Sequence, residues 1–354
     1  MVKQNQSIMA LLLLFLILAI SAEVEGAKKS YGMYNNDNNS VKLFVFGDSY
    51  VDTGNFIHSG AYKPPSGMTF PGYPAGRFGN GRIITDYLAS FLNIESPTPF
   101  VLRNSSNLQN GVNFAYGGTG IFKTLVDGPN LTIQIDSFEQ LIKQNVYSKT
   151  DLESSIVLVN AGANDYTTFI LKDRNIFEIH KFMKSLVDEM IVSLIRIHNL
   201  GAKKIVVSLL QPIGCLPTIS VASLYIDCID LFNLVSRDHN KMILGNLEDL
   251  NKEIGKPIFR TLDLYNSFLS AIRTIQKKRK ENSTLINPLE PCCALGSVGY
   301  DCGKVDEKGE KKYTLCEKPE LSFFWDNAHP SQNGWYSVFM QLESSLGQIF
   351  GKNL

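Results

Sequence analysis

The chain has no excess of charge of either sign: among 354 residues, 34 Lys+Arg are matched by 34 Asp+Glu. No basic patch or acidic tail stands out, which argues against a nucleic-acid partner. A balanced chain has no long-range field to steer highly charged ligands, so an uncharged or weakly charged substrate is expected. The sequence lacks the G-x-x-x-x-G-K-[ST] cradle for phosphates. It also lacks G-x-S-x-G, which excludes the nucleophile elbow built on that pentapeptide. Past the first residues no apolar run is long enough to cross a bilayer, so no stable membrane span is expected. Neither an ER-retention tetrapeptide nor a GPI-type tail closes the sequence. Cysteine is missing from the whole first half, and the spacings of the six that follow lack a paired C-x-x-C pattern, which argues against zinc.

What is present begins with a targeting segment. Lys3 precedes an apolar run from Ile8 to Ile20, followed by small residues at Ser21 and Ala22 and then by Glu23 and Glu25. Residues 1–26 read as a signal peptide cleaved after Ala22 or Gly26. The polar, Asn-rich residues 27–40 read as a disordered lead-in, and residues 41–354 as a single domain. With 44% hydrophobic residues the chain can bury one large core. An even cysteine count on the secretory route implies disulfides among Cys215, Cys228, Cys292, Cys293, Cys302 and Cys316, with about 15 connectivities open. Cys215 and Cys228 flank one loop and are expected to pair, and the other four would staple residues 291–316. Sequons at Asn38, Asn104, Asn130 and Asn282 are glycosylation candidates. The expected destination is extracellular or cell wall, with the vacuole or another secretory compartment as alternatives.

Apolar runs at residues 42–46, 111–114, 156–160, 204–208 and 257–264 predict strands. Helical spacing predicts helices over 83–92, 133–144, 176–200 and 231–250; in the longest, Phe182, Leu186, Met190, Leu194 and Ile197 share one face. Alternating strands and helices imply a mostly parallel sheet covered on both sides. Residues 62–82, rich in Pro and Gly and without periodicity, read as a long ordered loop or a lid. Ligands of such sheets sit at the carboxyl ends of the strands, so residues just after strands carry the chemical interest.

Ser49 follows the first strand by two residues. It reads as a helix cap or as a nucleophile near a helix N-terminus, where developing negative charge is favoured. Attack by a serine needs a base and a carboxylate to orient that base, and Asp326-Asn327-Ala328-His329 places both in one turn. Of the five histidines, His180, His198 and His239 fall in helical segments, and His58 is the rival to His329. A charged tetrahedral intermediate needs donors. The segment Asn113-Phe114-Ala115-Tyr116-Gly117-Gly118 offers backbone amides and Gly162-Ala163-Asn164-Asp165 offers a side-chain amide. Each segment alone also reads as a turn.

Together these blocks resemble a family. Phe44-Val45-Phe46-Gly47-Asp48-Ser49 with Asp52-Thr53-Gly54-Asn55 is similar to the first block of plant GDSL esterase/lipases of the SGNH hydrolase superfamily. The likeness continues through Pro74-Ala75-Gly76-Arg77-Phe78, Gly111 to Ala115, Gly162 to Tyr166 and Gly214-Cys215-Leu216-Pro217, and closes with Phe324-Trp325-Asp326 and His329-Pro330. The resemblance implies a flavodoxin-like three-layer α/β/α sandwich with a parallel sheet of about five strands. It implies Ser49 as nucleophile and, through its own N–H, one oxyanion donor. Gly117 (or Gly118, one residue on) would give a second N–H and Asn164 a third donor, with His329 as base and Asp326 as its orienter. The implied activity is hydrolysis of a small-molecule or lipid ester without metal or organic cofactor. Transfer of the acyl group to an alcohol, or a non-catalytic binding role, are the alternatives. Tyr50 and Tyr116 replace a Leu and a Ser common in the family, and both are expected to narrow the acyl pocket.

Overall fold

The computed structural model of the chain describes residues 41–172, 175–281, 286–295 and 302–351. The expected signal peptide (1–26) and lead-in (27–40), Asn38 and Asn282 lie outside these residues. The first strand, β1 (Leu43–Gly47), is completely buried. After it come α1 (Ile84–Phe91), β2 (Thr98–Pro99), β3 (Val112–Asn113), α2 (Leu131–Lys143), α3 (Lys149–Ser154), β4 (Ile156–Asn160) and α4 (Ala163–Lys172). Then follow α5 (Ile179–Asn199), β5 (Ile205–Ser208), α6 (Pro217–Ser220), α7 (Asp230–Ile254), β6 (Phe259–Leu262), α8 (Leu264–Glu281) and α9 (Gln332–Phe350). A small antiparallel pair, β7 (Cys293–Leu295) with β8 (Tyr313–Leu315), stands apart from the main sheet.

Six strands form one parallel sheet in the order β2-β3-β1-β4-β5-β6. Five were expected; the addition is β2, two residues at the sheet edge, where a proline costs no ladder bond. Strand alternation splits the core into two layers. Phe44, Phe46, Val157, Val159, Ile205 and Val207 face a cluster with α2, α5 and α7. Leu43, Val45, Ile156, Leu158 and Val206 face α1, α8 and α9. The fold is thus the three-layer α/β/α sandwich. In LFVFG and IVLVN every position before the last is apolar because both faces of the strand are covered.

The stripe expected on residues 176–200 is the buried face of α5, with Leu186, Met190, Leu194 and Ile197 in the core. Helices α4, α8 and α9 were not anticipated, although α9 spaces Trp335, Val338, Leu342 and Leu346 by three or four residues. Cys215 pairs with Cys228 as expected, and the remaining four pair as Cys292–Cys316 and Cys293–Cys302. Of the two described sequons, Asn104 is exposed. Asn130 caps α2, its Oδ1 accepting the Ile133 N–H at 3.2 Å, while its Nδ2 donates to the Ile121 carbonyl at 3.3 Å.

The loop over residues 62–82 is ordered by its own ladder. The Gly67 N–H donates to Gly79 O at 2.9 Å and the Thr69 N–H to Asn80 O at 2.7 Å. Arg77 clamps it to α1 through two bonds to the Asp86 carboxylate at 2.9 and 2.8 Å. This pair is nearly buried, so removing one partner would strand a charge.

Gly47 closes β1 with φ +142°, and a Cβ at that point would collide with the Asn160 carbonyl oxygen of β4. Gly47→Ala is therefore expected to cost more than about 3 kcal/mol of stability, combining backbone strain with a clash that neither strand can relieve. A thermal unfolding midpoint within a few degrees of the unsubstituted protein would contradict this.

Candidate active site

The carboxyl ends of β3, β1 and β4 are neighbours in the sheet, so the loops after them converge. Ser49 lies two residues past β1, Gly117 four past β3, and Asn164 four past β4. The parallel order brings together segments 47 to 115 residues apart in sequence, as expected for a site at this end of the sheet.

The Ser49 segment is a tight turn rather than the start of a helix. The Val51 and Asp52 amides both donate to Asp48 O, at 3.2 and 3.0 Å, and the chain then turns away. The expectation of a helix N-terminus behind Ser49 is therefore corrected. The physical reason is Asp52, whose carboxylate collects the amides of Gly54, Asn55 and Phe56 at 2.8, 2.7 and 3.3 Å and bends the chain at Gly54, φ +144°. Asn113 supports the turn from β3 by donating to Val51 O and Thr53 Oγ1, at 2.7 and 2.9 Å. Asn55 donates back to Asn113 O and Ala115 O, both at 2.8 Å. At the strand end, Gln134 of α2 accepts the Gly47 N–H and donates to Gly47 O, at 2.8 and 2.9 Å. Each of these buried amides has satisfied partners, which makes the platform under Ser49 rigid.

The Ser49 Oγ lies 2.9 Å from His329 Nε2. On the far side of the ring, His329 Nδ1 is 2.9 Å from both Asp326 carboxylate oxygens. The same carboxylate accepts the Ala328 and His329 amides at 2.9 and 2.8 Å, so the turn carrying the imidazole folds around Asp326. Three further bonds fix this turn: Trp325 N–H to His329 O at 2.8 Å, Thr218 N–H to Asn327 O at 3.0 Å, and Tyr50 OH to Ala328 O at 2.7 Å. His58, the rival, is exposed. His239 is buried in α7 against the Tyr166 hydroxyl, and burial depresses its imidazole to about 4, so it is a neutral structural group.

Electrostatics follow from this geometry. Withdrawal from water pushes the Asp326 carboxyl up, but the His329 charge and the hydrogen bonds from the ring and the two amides outweigh it and hold the carboxyl below its usual range. For His329 the same withdrawal pushes the imidazole down, while Asp326, with a smaller contribution from Asp48, raises it beyond its ordinary value. Asp48 is buried behind Ser49, accepting from the Tyr50 amide at 3.1 Å and Asn160 Nδ2 at 3.0 Å; burial pushes its carboxyl up to about 7.

Of the two glycines, Gly117 has its N–H committed to Asp52 Oδ2 at 2.9 Å. Among the described residues no protein acceptor takes the Gly118 N–H. Asn164 uses one Nδ2 hydrogen on Thr119 O, at 3.0 Å. Its neighbour Asp165 accepts the Ile121 and Phe122 amides at 3.0 and 2.8 Å, tying the glycine loop to the start of α4. Residues that sequence reasoning missed here are Asp52, Asn55, Asn113 as a side chain, and Gln134. Buried amides and carboxylates beside loop ends were the available signal.

A cleft of about 430 Å³ opens beside His329, walled by Phe56, Ala61, Phe78 and the Cys293–Cys302 disulfide. Neither Tyr50 nor Tyr116, expected to narrow the acyl pocket, lines this cleft. Tyr50 is buried beneath the His329 turn, packed on Trp335 and Phe268, and Tyr116 stacks behind Phe56 at 4.7 Å. Among the described residues no group of three His, Cys, Asp or Glu is placed to hold a metal ion, and no helix is long and apolar enough to cross a membrane.

Residues 43–342 match the family model described as GDSL-like Lipase/Acylhydrolase. Relatives include two GDSL esterase/lipases of Arabidopsis thaliana. One is 44% identical over 91% of this chain and 91% of its own length, and the other 42% identical over 96% and 98%. Among solved structures, an acetylxylan esterase from Geobacillus stearothermophilus is similar over 88% of this chain and 95% of its own, at TM-score 0.39 and 12% identity. The family match and the Arabidopsis relatives establish that the chain belongs to the GDSL-like lipase/acylhydrolase family.

Proposed function

We propose that this protein hydrolyses carboxylic esters through an acyl-serine intermediate, with Ser49 as nucleophile, His329 as base and Asp326 as its orienter. The observation that carries the reading is the unbroken relay from Ser49 Oγ through the imidazole to the Asp326 carboxylate, with every link at 2.9 Å. The Ser49 oxygen attacks the ester carbonyl as His329 Nε2 takes its proton. The imidazolium that forms is stabilised by Asp326, whose depressed carboxyl stays ionised. Collapse of the tetrahedral intermediate breaks the bond to the alcohol, which leaves with the proton held by His329. Water then attacks the acyl-serine with the same base and releases the acid.

Three donors are assigned to the oxyanion: the Ser49 amide, the second Nδ2 hydrogen of Asn164, and a glycine amide. The Gly117 N–H already serves Asp52, which favours Gly118 as that third donor. Three disulfides support passage through an oxidising secretory compartment.

Labelling with an alkyl organophosphonate should modify Ser49 alone and be abolished in Ser49→Ala; a label on any other serine defeats the assignment. Asn164→Ala should lower kcat by about 10²–10³, and a loss under about threefold would make Asn164 a turn residue only. Because the Asp326 charge raises His329, the free-base fraction grows with pH through a midpoint above the ordinary imidazole value of 6.5. The ascending limb of kcat/KM should sit there, and a limb centred below 6 would contradict the His329 role.

A further inference from the structure

The peptide bond that enters His329 is gripped at both ends. Its N–H, on His329, donates to Asp326 Oδ1 at 2.8 Å, and its carbonyl, on Ala328, accepts the Tyr50 hydroxyl at 2.7 Å. On the other side of the residue, the His329 carbonyl accepts the Trp325 amide at 2.8 Å. These three bonds set the direction in which the imidazole leaves the backbone. Asp326 and Trp325 belong to the same turn as His329, whereas Tyr50 comes from outside it, as the next residue after Ser49.

The tyrosine is itself held firmly. It is buried, its ring meets Trp335 edge-on at 5.1 Å and lies parallel to Phe268 at 6.2 Å, and its amide donates to Asp48 Oδ1 at 3.1 Å. The Gln211 side chain hydrogen-bonds the same hydroxyl. A glutamine amide supplies a hydrogen there, which leaves the phenol hydrogen for Ala328 O. Gln211 is buried in turn, and its carbonyl accepts Ser236 Oγ of α7 at 2.8 Å. Burial pushes the Tyr50 phenol well above its ordinary value, so the hydroxyl remains a donor. A hydroxyl in this layer of Phe268, Phe323 and Trp335 costs free energy unless it is hydrogen-bonded, and Ala328 and Gln211 supply that pairing.

Resting on the esterase reading above, we infer that Tyr50 is a positioning residue, whose hydroxyl acts through the Ala328 carbonyl to hold the His329 imidazole within reach of Ser49 Oγ. Nucleophile and base lie 280 residues apart in sequence, and Tyr50 ties the segment of one to the turn of the other. Proton transfer needs the base within hydrogen-bond reach of the proton, so a base that drifts costs rate. Tyr50 lies beneath the turn and does not line the cleft, so substrate binding does not depend on it.

The test is Tyr50→Phe in the purified protein, which keeps the ring and its packing and removes only the hydroxyl. On a 4-nitrophenyl ester, counted per site titrated by an alkyl organophosphonate, kcat should fall by about three- to tenfold, the range of one uncharged hydrogen bond, with KM unchanged. The rate of Ser49 labelling should fall by the same factor, because it needs the same base. Phe350→Leu, at the far end of α9 in the same apolar layer, is the stability control: it should lower the thermal midpoint and leave kcat unchanged. Gln211→Leu, which frees the hydroxyl to swing away from Ala328, should lower kcat in the same direction, and it decides the matter if Tyr50→Phe does not fold. Unchanged kcat and labelling in whichever of these two variants decides, a loss carried by KM, or an equal loss of kcat in Phe350→Leu overturns the inference and leaves the esterase reading intact. Absence of both turnover and serine labelling in the unsubstituted protein overturns both.

Discussion

The close approach of β1 and β4 at their carboxyl ends governs the rest of the site. Gly47 and Asn160 are in register, and the space a side chain would need at Gly47 is filled by the Asn160 carbonyl. The Asp48 amide donates to that same carbonyl at 3.1 Å, and Asn160 Nδ2 returns to the Asp48 carboxylate. Gln134 and the Tyr116 amide complete the coordination of the Gly47 peptide from the other side. The chain therefore leaves the sheet from a fixed point in a fixed direction. Ser49 is only two residues further, too short a distance for its position to drift.

The opposing half of the site is held by different means. His329 belongs to a turn between the sheet's last helix and the disulfide-bonded segment before it, with no strand beneath it. Its rigidity comes from Asp326, which folds the turn around its carboxylate, and from the bonds donated by Tyr50, Thr218 and Trp325. Tyr50 is the link between the halves: it neighbours Ser49 in sequence and its hydroxyl reaches Ala328, so the two sides of the Ser49–His329 contact share a fastening. The family's usual leucine has no hydroxyl to do this.

Buried carboxylates recur around the site for a common reason. Asp48, Asp52 and Asp165 all have their carboxyls pushed up by burial, and each is compensated by hydrogen-bond donors, four backbone amides in the case of Asp52. Irregular loops at a sheet end carry amides that no strand or helix can satisfy. An aspartate that accepts several of them replaces the missing secondary structure and fixes the loop, and the donors offset part of its desolvation.

Several features were legible in the order of residues alone. Runs such as LFVFG and IVLVN read as strands covered on both faces, and the stripe on α5 as a helix with one side in the core. The blocks around Ser49, Asn164 and His329 each offered suitable atoms, and it was their order together, through the family resemblance, that named the candidate site. The sequence left open which glycine amide is free, where Tyr50 points, and that Gln134 and Asn113 brace the turn. Those depend on contacts between residues tens to hundreds of positions apart. The two-residue strand β2 was missed for the same reason, since it carries no periodicity and exists only through its neighbour. Local chemistry and spacing are written along the chain. Distance, burial and the pairing of each buried polar atom arise only when the sheet brings its ends together.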